Sequence, residues 1–332
     1  KEKKRIISDI NKGNINFIIG THSLFQKNIK FSNLGFIIID EQHKFGVNQR
    51  LKLAKKGGKN CDLLLISATP IPRTMMLSFF GDMDISRLKE KPKNRYNILT
   101  LLKPENKIFE IFPLLKKEMS LNRQVFWICP LIDESNKLNF SSVKKKFDQL
   151  NKIFPGEVGL IHGGLDKIDK DTILKKFSDK NIKILVSTTV IEVGIDYPDA
   201  NTIVIEDSNK FGLSQLHQLR GRVGRGNNRS ICILLYKKNL SSNARERLKI
   251  LRSSNDGFEI AEKDMGLRGY GDILGFQQSG TKSFKFADPI HHKDLFILAE
   301  KNIKKLKGEN LKKYENLLKL YDKAEIIHEI GN

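Results

Sequence analysis

The sequence predicts an α/β protein with two parallel-sheet lobes, the first one incomplete, followed by a helical hairpin, a loop and a helical tail. Two observations carry the lobes. Short, unbroken apolar runs end in polar or small residues, and helical stretches separate them. Runs of that kind read as strands buried on both faces, which is the habit of parallel sheets. The third observation is a change of pattern after Tyr236, where helical periodicity continues without further strand runs.

Taken in order, Lys3 to Lys12 reads as a helix, with Gly13 suited to its C-terminal cap. Ile15 to Ile19, Phe36 to Ile39 and Leu63 to Ile66 are the strand-like runs of the first lobe, assigned to residues 1–88. The charged stretch from 89 to 97 contains Pro92, lacks periodicity and reads as a linker. The second lobe, 98–238, offers five strands: Val125 to Cys129, Val158 to Ile161, Ile182 to Val186, Thr202 to Ile205 and Ile231 to Leu235. Its helices are Val143 to Ile153, Asp166 to Phe177 and a weaker Ile108 to Glu118, which Pro113 is expected to interrupt. Asn243 followed by Glu246 resembles a capping box. Ala244, Leu248 and Leu251 share one helical face, and Phe258, Ala261 and Met265 another, so 239–288 reads as a hairpin turning over Ser253 to Gly257 plus a Gly-rich loop. The basic tail, 289–332, has Leu295, Ala299, Ile303 and Leu306 on one stripe and Tyr314, Leu317 and Tyr321 on another.

At 332 residues the chain has room for two domains. Its 59 basic residues against 38 acidic ones give a formal charge of +21, which suits a polyanion partner such as nucleic acid. Cys61, Cys129 and Cys232 stand far apart among apolar neighbours, so buried reduced thiols in a cytoplasmic protein are expected rather than a metal or disulfide framework. No apolar run approaches the ~20 residues of a membrane span. The first residue is Lys rather than Met, and the chain is expected to begin within a longer protein.

Two stretches carry chemistry. Asp40-Glu41-Gln42-His43 follows the apolar run Gly35 to Ile39, so it falls at the carboxyl end of a strand, where parallel α/β sheets bind ligands. An Asp there can hold Mg²⁺ through water, because Mg²⁺ prefers oxygen ligands and keeps several waters. A neighbouring Glu can orient an attacking water. The second stretch, Gln218 to Gly226, places Arg220, Arg222 and Arg225 between glycines. Glycine permits close backbone approach and arginine offers bidentate contacts to phosphate, the composition of an arginine finger. Several other residues read more simply: Trp127 as core, His162 before Gly163-Gly164 as a turn former, Lys144-Lys145-Lys146 as a solvated helix face, and His291-His292 as surface.

The order of these stretches resembles the superfamily 2 helicases, in the form typical of the RecG family. Asp40 to Val47 resembles motif II, Ser67 to Thr74 motif III, Gly20-Thr21-His22 through Gln26 motif Ib, and Gln124 to Ile132 motif IV. Ser187 to Asp196 resembles motif V and Gln218 to Gly226 motif VI. Arg247, Asp256 to Glu262, Arg268-Gly269 and Gln277 to Gly280 are similar to the translocation motif that RecG shares with the transcription-repair coupling factor. Tyr270 departs from it, standing where the family usually has Pro.

The resemblance implies RecA-like lobes and an ATP-dependent helicase that acts on branched or duplex DNA in recombination and repair, monomeric, cytoplasmic and nucleoid-associated. It implies that Asp40 holds Mg²⁺, Glu41 activates water, and Gln42 and His43 relay nucleotide state toward Ser67 and Thr69. Arg222 and Arg225 would contact the triphosphate, with Gln218 and Asp196 beside the nucleotide. Thr21, Thr188 and Thr189 would touch DNA, and Arg247, Arg268 and Gln278 would couple hydrolysis to movement. A phosphate loop, Gly-x-x-x-x-Gly-Lys-Ser/Thr, occurs nowhere in the 332 residues. Residue 1 is therefore expected to lie downstream of that loop and of the family's amino-terminal wedge domain, and the segment alone is expected to be inactive. Two alternatives stand beside this reading: a fragment of the transcription-repair coupling factor, and a non-catalytic basic DNA-binding remnant.

Overall fold

A computed structural model describes residues 2–26, 28–41, 53, 55–57, 60–67, 84, 86–88, 90, 96–130, 136–188, 197–226, 228–268 and 292–306. The chain divides into two compact units, Lys1–Pro70 and Ile71–Asn332.

In the first unit, helix α1 (Glu2–Lys12) carries Glu2 in its first turn and Lys12 in its last, each on the favourable end of the helix dipole. It stops at Gly13, whose φ of +79° suits a residue without Cβ. There Gly13 N–H donates to Ile10 O and Asn14 N–H to Asp9 O, so two carbonyls of the last turn are satisfied. Strands β1 (Phe36–Ile39) and β2 (Asp62–Leu65) pair in parallel, Phe36 with Asp62 through Ile39 with Leu65. Ile37 and Ile39 are buried with Leu53, and Phe25, Phe31 and Leu34 pack against them. Phe36, Ile38 and Leu64 alternate to the opposite side and stay about half exposed. The expected strand over Ile15–Ile19 does not form: Phe17 is 77% and Ile19 86% exposed, and the run joins neither β1 nor β2. Apolarity makes a strand only where a ladder partner satisfies its backbone.

The second unit contains a six-stranded, all-parallel sheet. Its strands are β3 (Leu99–Pro104), β4 (Gln124–Ile128), β5 (Val158–Ile161), β6 (Ile184–Ser187), β7 (Ala200–Ile205) and β8 (Ile231–Tyr236). They lie in the order β3-β8-β7-β4-β6-β5. Five were expected. The sixth, β3, is an edge strand next to the charged stretch, with Leu99 57% exposed and Lys103-Pro104 at its end, so its apolar signal is short.

The residues of β4 show why the sheet is covered twice. Val125, Trp127 and Cys129 enter one core, with Leu115 and Met119 of α2 (Phe112–Ser120) and Val143 and Leu150 of α3 (Asn136–Ile153). Phe126 and Ile128 enter the other, with Phe177 of α4 (Lys167–Ser178), Leu213 and Leu216 of α5 (Leu213–Arg220), Leu248 and Leu251 of α6 (Ser242–Ser253), and Ile260 of α7 (Gly257–Arg268). Trp127 is fully buried, as a core residue. Cys129 and Cys232 are buried free thiols, whereas Cys61 is only half-buried. Burial pushes the Cys232 thiol up to about 12, against the opposing charge of Arg220.

Three local expectations need correction. Pro113 does not interrupt a helix: it stands in the first turn of α2, where its missing N–H has no intrahelical acceptor to lose. The N-cap of α6 is Ser241, whose hydroxyl accepts the Ala244 N–H at 3.2 Å, and Asn243 lies inside the helix. Lys146 leaves the solvated lysine face: its ammonium meets Glu206 Oε1 at 2.7 Å and lies 5.8 Å from the centre of the Trp127 ring. Other expectations hold. The helix expected from Asp166 to Phe177 forms as α4, with Asp166 as its N-cap accepting the Asp169 N–H at 2.8 Å, and the hairpin expected across Ser253 to Gly257 forms between α6 and α7. Helix α8 (Lys293–Leu306) carries the first stripe of the tail, though Leu295 is 60% exposed, and the second stripe lies outside the described residues. Among the described residues no helix is long and apolar enough to cross a membrane.

Candidate nucleotide and DNA site

In the first unit the site begins where β1 and β2 end. The Ile66 N–H donates to Ile39 O at 2.8 Å, so the parallel ladder runs on past β2. That single bond sets Asp40-Glu41 and Ser67 at neighbouring carboxyl ends of one sheet, joining the stretches that resemble motifs II and III. Asp40 is exposed, and its Oδ1 accepts the Glu41 N–H at 2.8 Å, turning the chain sharply. Glu41 follows with φ at +49°, a conformation that costs a residue with a Cβ roughly 1–3 kcal/mol. Ser67 is half-buried. Gln42, His43 and Thr69 lie outside the described residues.

The carboxylate of Asp40 fits an implied Mg²⁺ by its chemistry: an exposed oxygen donor at a sheet edge. Among the described residues no group of three or more acidic, His or Cys side chains could cage a metal. Mg²⁺ bound through one carboxylate, water and substrate phosphates needs no such cage.

Thr21 is exposed and opens a short 3₁₀ turn, His22–Phe25, with its carbonyl accepting the Leu24 N–H at 3.0 Å. A residue that sequence reasoning missed holds this loop. Lys56 Nζ donates to Leu24 O, Gln26 O and Ile29 O at 3.1, 2.6 and 2.9 Å and lies over the Phe31 ring. Desolvation lowers its pKa below the ordinary lysine value. Nothing in the sequence separates Lys56 from the many surface lysines around it.

In the second unit the chain leaves β4 toward α3 on one face and β7 toward α5 on the other. The adjacent ends of β4 and β7 are thus the switch point, where open α/β sheets form a ligand crevice. Thr188 follows β6 on this edge and is 4% exposed. Thr189 and Asp196 lie outside the described residues.

Helix α5 delivers the arginine turn. The Gly212 N–H is bonded by Gln215 Oε1 at 3.0 Å, which starts the helix, and Gln218 is half-buried on its last turn. After Arg220 the helix loosens into turns, with the Arg222 N–H on Leu219 O and the Val223 N–H on Arg220 O. Val223 is fully buried and anchors the turn. Two glycines are structurally required. Gly224 sits at φ +78°, and a Cβ on Gly226 would lie 2.5 Å from Pro198 O. Around this anchor Arg222 is half-buried and Arg225 exposed. Arg220 behaves differently from its two neighbours. It is 2% exposed and bonded to the protein interior, so it leaves the set that can meet a phosphate.

The hairpin carries the expected coupling residues. Arg247 of α6 donates through Nη2 to Asn209 O at 3.0 Å, in the 3₁₀ turn Ser208–Lys210 that follows β7, while its buried Nε meets no hydrogen-bond partner among the described residues. That turn starts at Asp207, held at φ +46° with its carboxylate on Lys210 and Lys237. Arg268 ends α7, and Gln278 lies outside the described residues.

The geometry defines an α/β chain of two parallel-sheet units, with acidic residues at the carboxyl end of one sheet and a glycine-framed arginine turn on the other unit. Three family profiles agree: DEAD/DEAH box helicase over residues 1–77, helicase conserved C-terminal domain over 108–227, and ATP-dependent DNA helicase RecG, domain 3, C-terminal, over 254–315. The chain belongs to the RecG family of these helicases. It is 45% identical over 293 residues to the ATP-dependent DNA helicase RecG of Bacillus subtilis, covering 88% of this chain and 43% of that protein. The Thermotoga maritima RecG is 43% identical over 318 residues, covering 95% of this chain and 40% of that one. A solved structure of RecG bound to a three-way DNA junction superposes with a TM-score of 0.63 at 41% identity, over 89% of this chain and 38% of the other. Saccharomyces cerevisiae Dbp5, at 16% identity and a TM-score of 0.50, covering 76% of this chain and 67% of its own, shares the fold. The chain thus spans about two fifths of the length of the curated relatives it matches.

Proposed function

We propose that this chain is part of an ATP-dependent double-stranded DNA translocase that remodels branched DNA. The observation that carries the reading is the juxtaposition of Asp40-Glu41 with Ser67 through the Ile66–Ile39 bond, in a chain of the RecG family. Residues 1–88 are the carboxyl-terminal part of one helicase lobe, 98–238 the other lobe, and 239–288 the translocation hairpin and loop. Asp40 would hold Mg²⁺, and the ion would neutralise charge developing on the transferred phosphoryl group. Glu41 takes a proton from the attacking water. Gln42, His43 and Thr69 pass on nucleotide state through Ser67. Arg222 and Arg225 meet the triphosphate, and Asp196 and Gln218 order its surroundings. Thr21 and Thr189 hold DNA phosphates through their hydroxyls and Thr188, whose side chain is buried, through its backbone N–H, and Arg247, Arg268 and Gln278 tie hydrolysis to movement on DNA.

Two measurements on the purified 332-residue chain test this. The chain should turn over no ATP above background, with or without DNA, because it contains no phosphate loop. DNA-stimulated turnover by the chain alone would overturn the assignment of phosphate gripping to a separate segment. It should also bind duplex and forked DNA without sequence preference. Its affinity should drop roughly 10³-fold between about 50 and 200 mM salt, as counterions released by phosphate contacts require. A titration showing salt-independent affinity would remove the DNA-binding half of the proposal.

A further inference from the structure

Arg220 stands two residues before Arg222, yet it faces the interior. Its Nη1 donates to Leu251 O at 2.6 Å, to Ser254 O at 2.9 Å and to Thr100 Oγ1 at 3.3 Å. Leu251 and Ser254 lie at the end of α6, where carbonyls lack intrahelical partners and the helix dipole is negative. A guanidinium is suited to that end. It is also costly to bury, and the thiol beside it, Cys232, remains protonated at neutral pH.

The bonds continue past Arg220 into the hairpin. Ser254 Oγ accepts the Asp256 N–H at 3.1 Å and donates to Glu259 Oε2 at 2.5 Å. Asp256 Oδ1 in turn accepts the Phe258 N–H at 2.9 Å, starting α7. The elbow between the two hairpin helices is thus organised around the carbonyl that Arg220 holds. At the opposite end of α5, Ser214 Oγ donates to Oδ2 of Asp264 on α7 at 2.6 Å, and Asp264 is 4% exposed. Helix α5 is therefore pinned at both ends, to α6 by Arg220 and to α7 by Ser214. The arginine turn Gly221–Gly226 grows directly out of the end that Arg220 fixes.

The geometry assigns Arg220 a positioning role: it makes α5 and the α6–α7 hairpin one body, so that a shift of the Arg222–Arg225 turn on meeting or losing a phosphate is delivered to the hairpin elbow. Ser214–Asp264 is the second pin of the same body. This rests on the reading of Arg222 and Arg225 as triphosphate contacts. Arg220 touches neither nucleotide nor DNA in this scheme. It acts through the carbonyls of Leu251 and Ser254.

The test uses a complete protein that carries this segment together with a phosphate loop, and measures DNA-stimulated ATP turnover and fork unwinding side by side. Arg220→Lys keeps a charge but is one atom shorter, so its ammonium falls short of the point from which Nη1 reaches Leu251 O, Ser254 O and Thr100 Oγ1. It should retain turnover and unwind roughly tenfold fewer base pairs per ATP, the factor one charged hydrogen bond is worth. Asp264→Asn probes the second pin without touching the buried guanidinium and should lower the same ratio, with the thermal midpoint tracked in both variants. Unwinding per ATP at the parental ratio in folded Arg220→Lys, or a proportional loss of turnover and unwinding in both variants, would sink the positioning role. If the parent protein itself shows no DNA-stimulated turnover, it is the underlying functional reading that fails.

Discussion

In a complete protein carrying this segment with a phosphate loop, Glu41→Gln leaves ATP binding intact and lowers DNA-stimulated hydrolysis roughly 10²–10⁴-fold, the usual worth of a positioned general base. The substitution is nearly isosteric, so the backbone at φ +49° and the bend made by Asp40 Oδ1 with the Glu41 N–H are retained. The negative charge goes, and with it the ability to accept a proton. Holding a residue with a Cβ in the left-handed region costs stability that a glycine would recover. Glu41→Gly should accordingly be no less stable than the parent by thermal unfolding while being as inactive as Glu41→Gln. A Glu41→Gln enzyme that hydrolyses ATP at the parental rate would remove Glu41 from the water-activating role. One that no longer binds nucleotide would place the residue in binding instead.

Much of the fold was legible because parallel strands buried on both faces leave a dense local signal. Val125 to Cys129 could be assigned from its five consecutive apolar residues alone. Asp40, Glu41, Arg222 and Arg225 were legible as candidates for the reason that they are misplaced for a core: acids after an apolar run, arginines among glycines. What the sequence did not display are features whose partners are distant. The carbonyls that hold Arg220 lie 31 and 34 residues away and its hydroxyl partner 120. On composition Arg220 was indistinguishable from Arg222. Lys56, 27 to 32 residues from the carbonyls it captures, was hidden in the same way. Ile15 to Ile19 failed in the opposite direction, since its local pattern was strand-like while no ladder partner joined it.

Trp127→Ala separates core from contact and should cost about 3–5 kcal/mol, the usual range for removing a large buried aromatic side chain. The indole is fully buried in β4 and packs in the core that α2 and α3 build on one face of the six-stranded sheet. Lys146 covers its ring while paired to Glu206, so the void would also disturb a half-buried ion pair. A small domain has only about 5–15 kcal/mol in total, so the loss is a large share of the second unit's stability. Urea unfolding followed by circular dichroism should show the midpoint of that unit's transition shifted to lower denaturant. Duplex DNA affinity measured well below the new midpoint should be unchanged, because a residue sealed between sheet and helices cannot stack on a base. Lost DNA affinity in a variant of parental stability would reverse the assignment and make Trp127 a nucleic-acid contact. The expected pattern, stability lost and affinity kept, also bears on the arginine turn: β4 is hydrogen-bonded to β7, and the chain leaves β7 for the turn before α5 and the Arg222–Arg225 loop. Trp127 lies in the core on the face opposite the one that seats α5 and Val223, so its loss leaves the arginine turn's own packing in place.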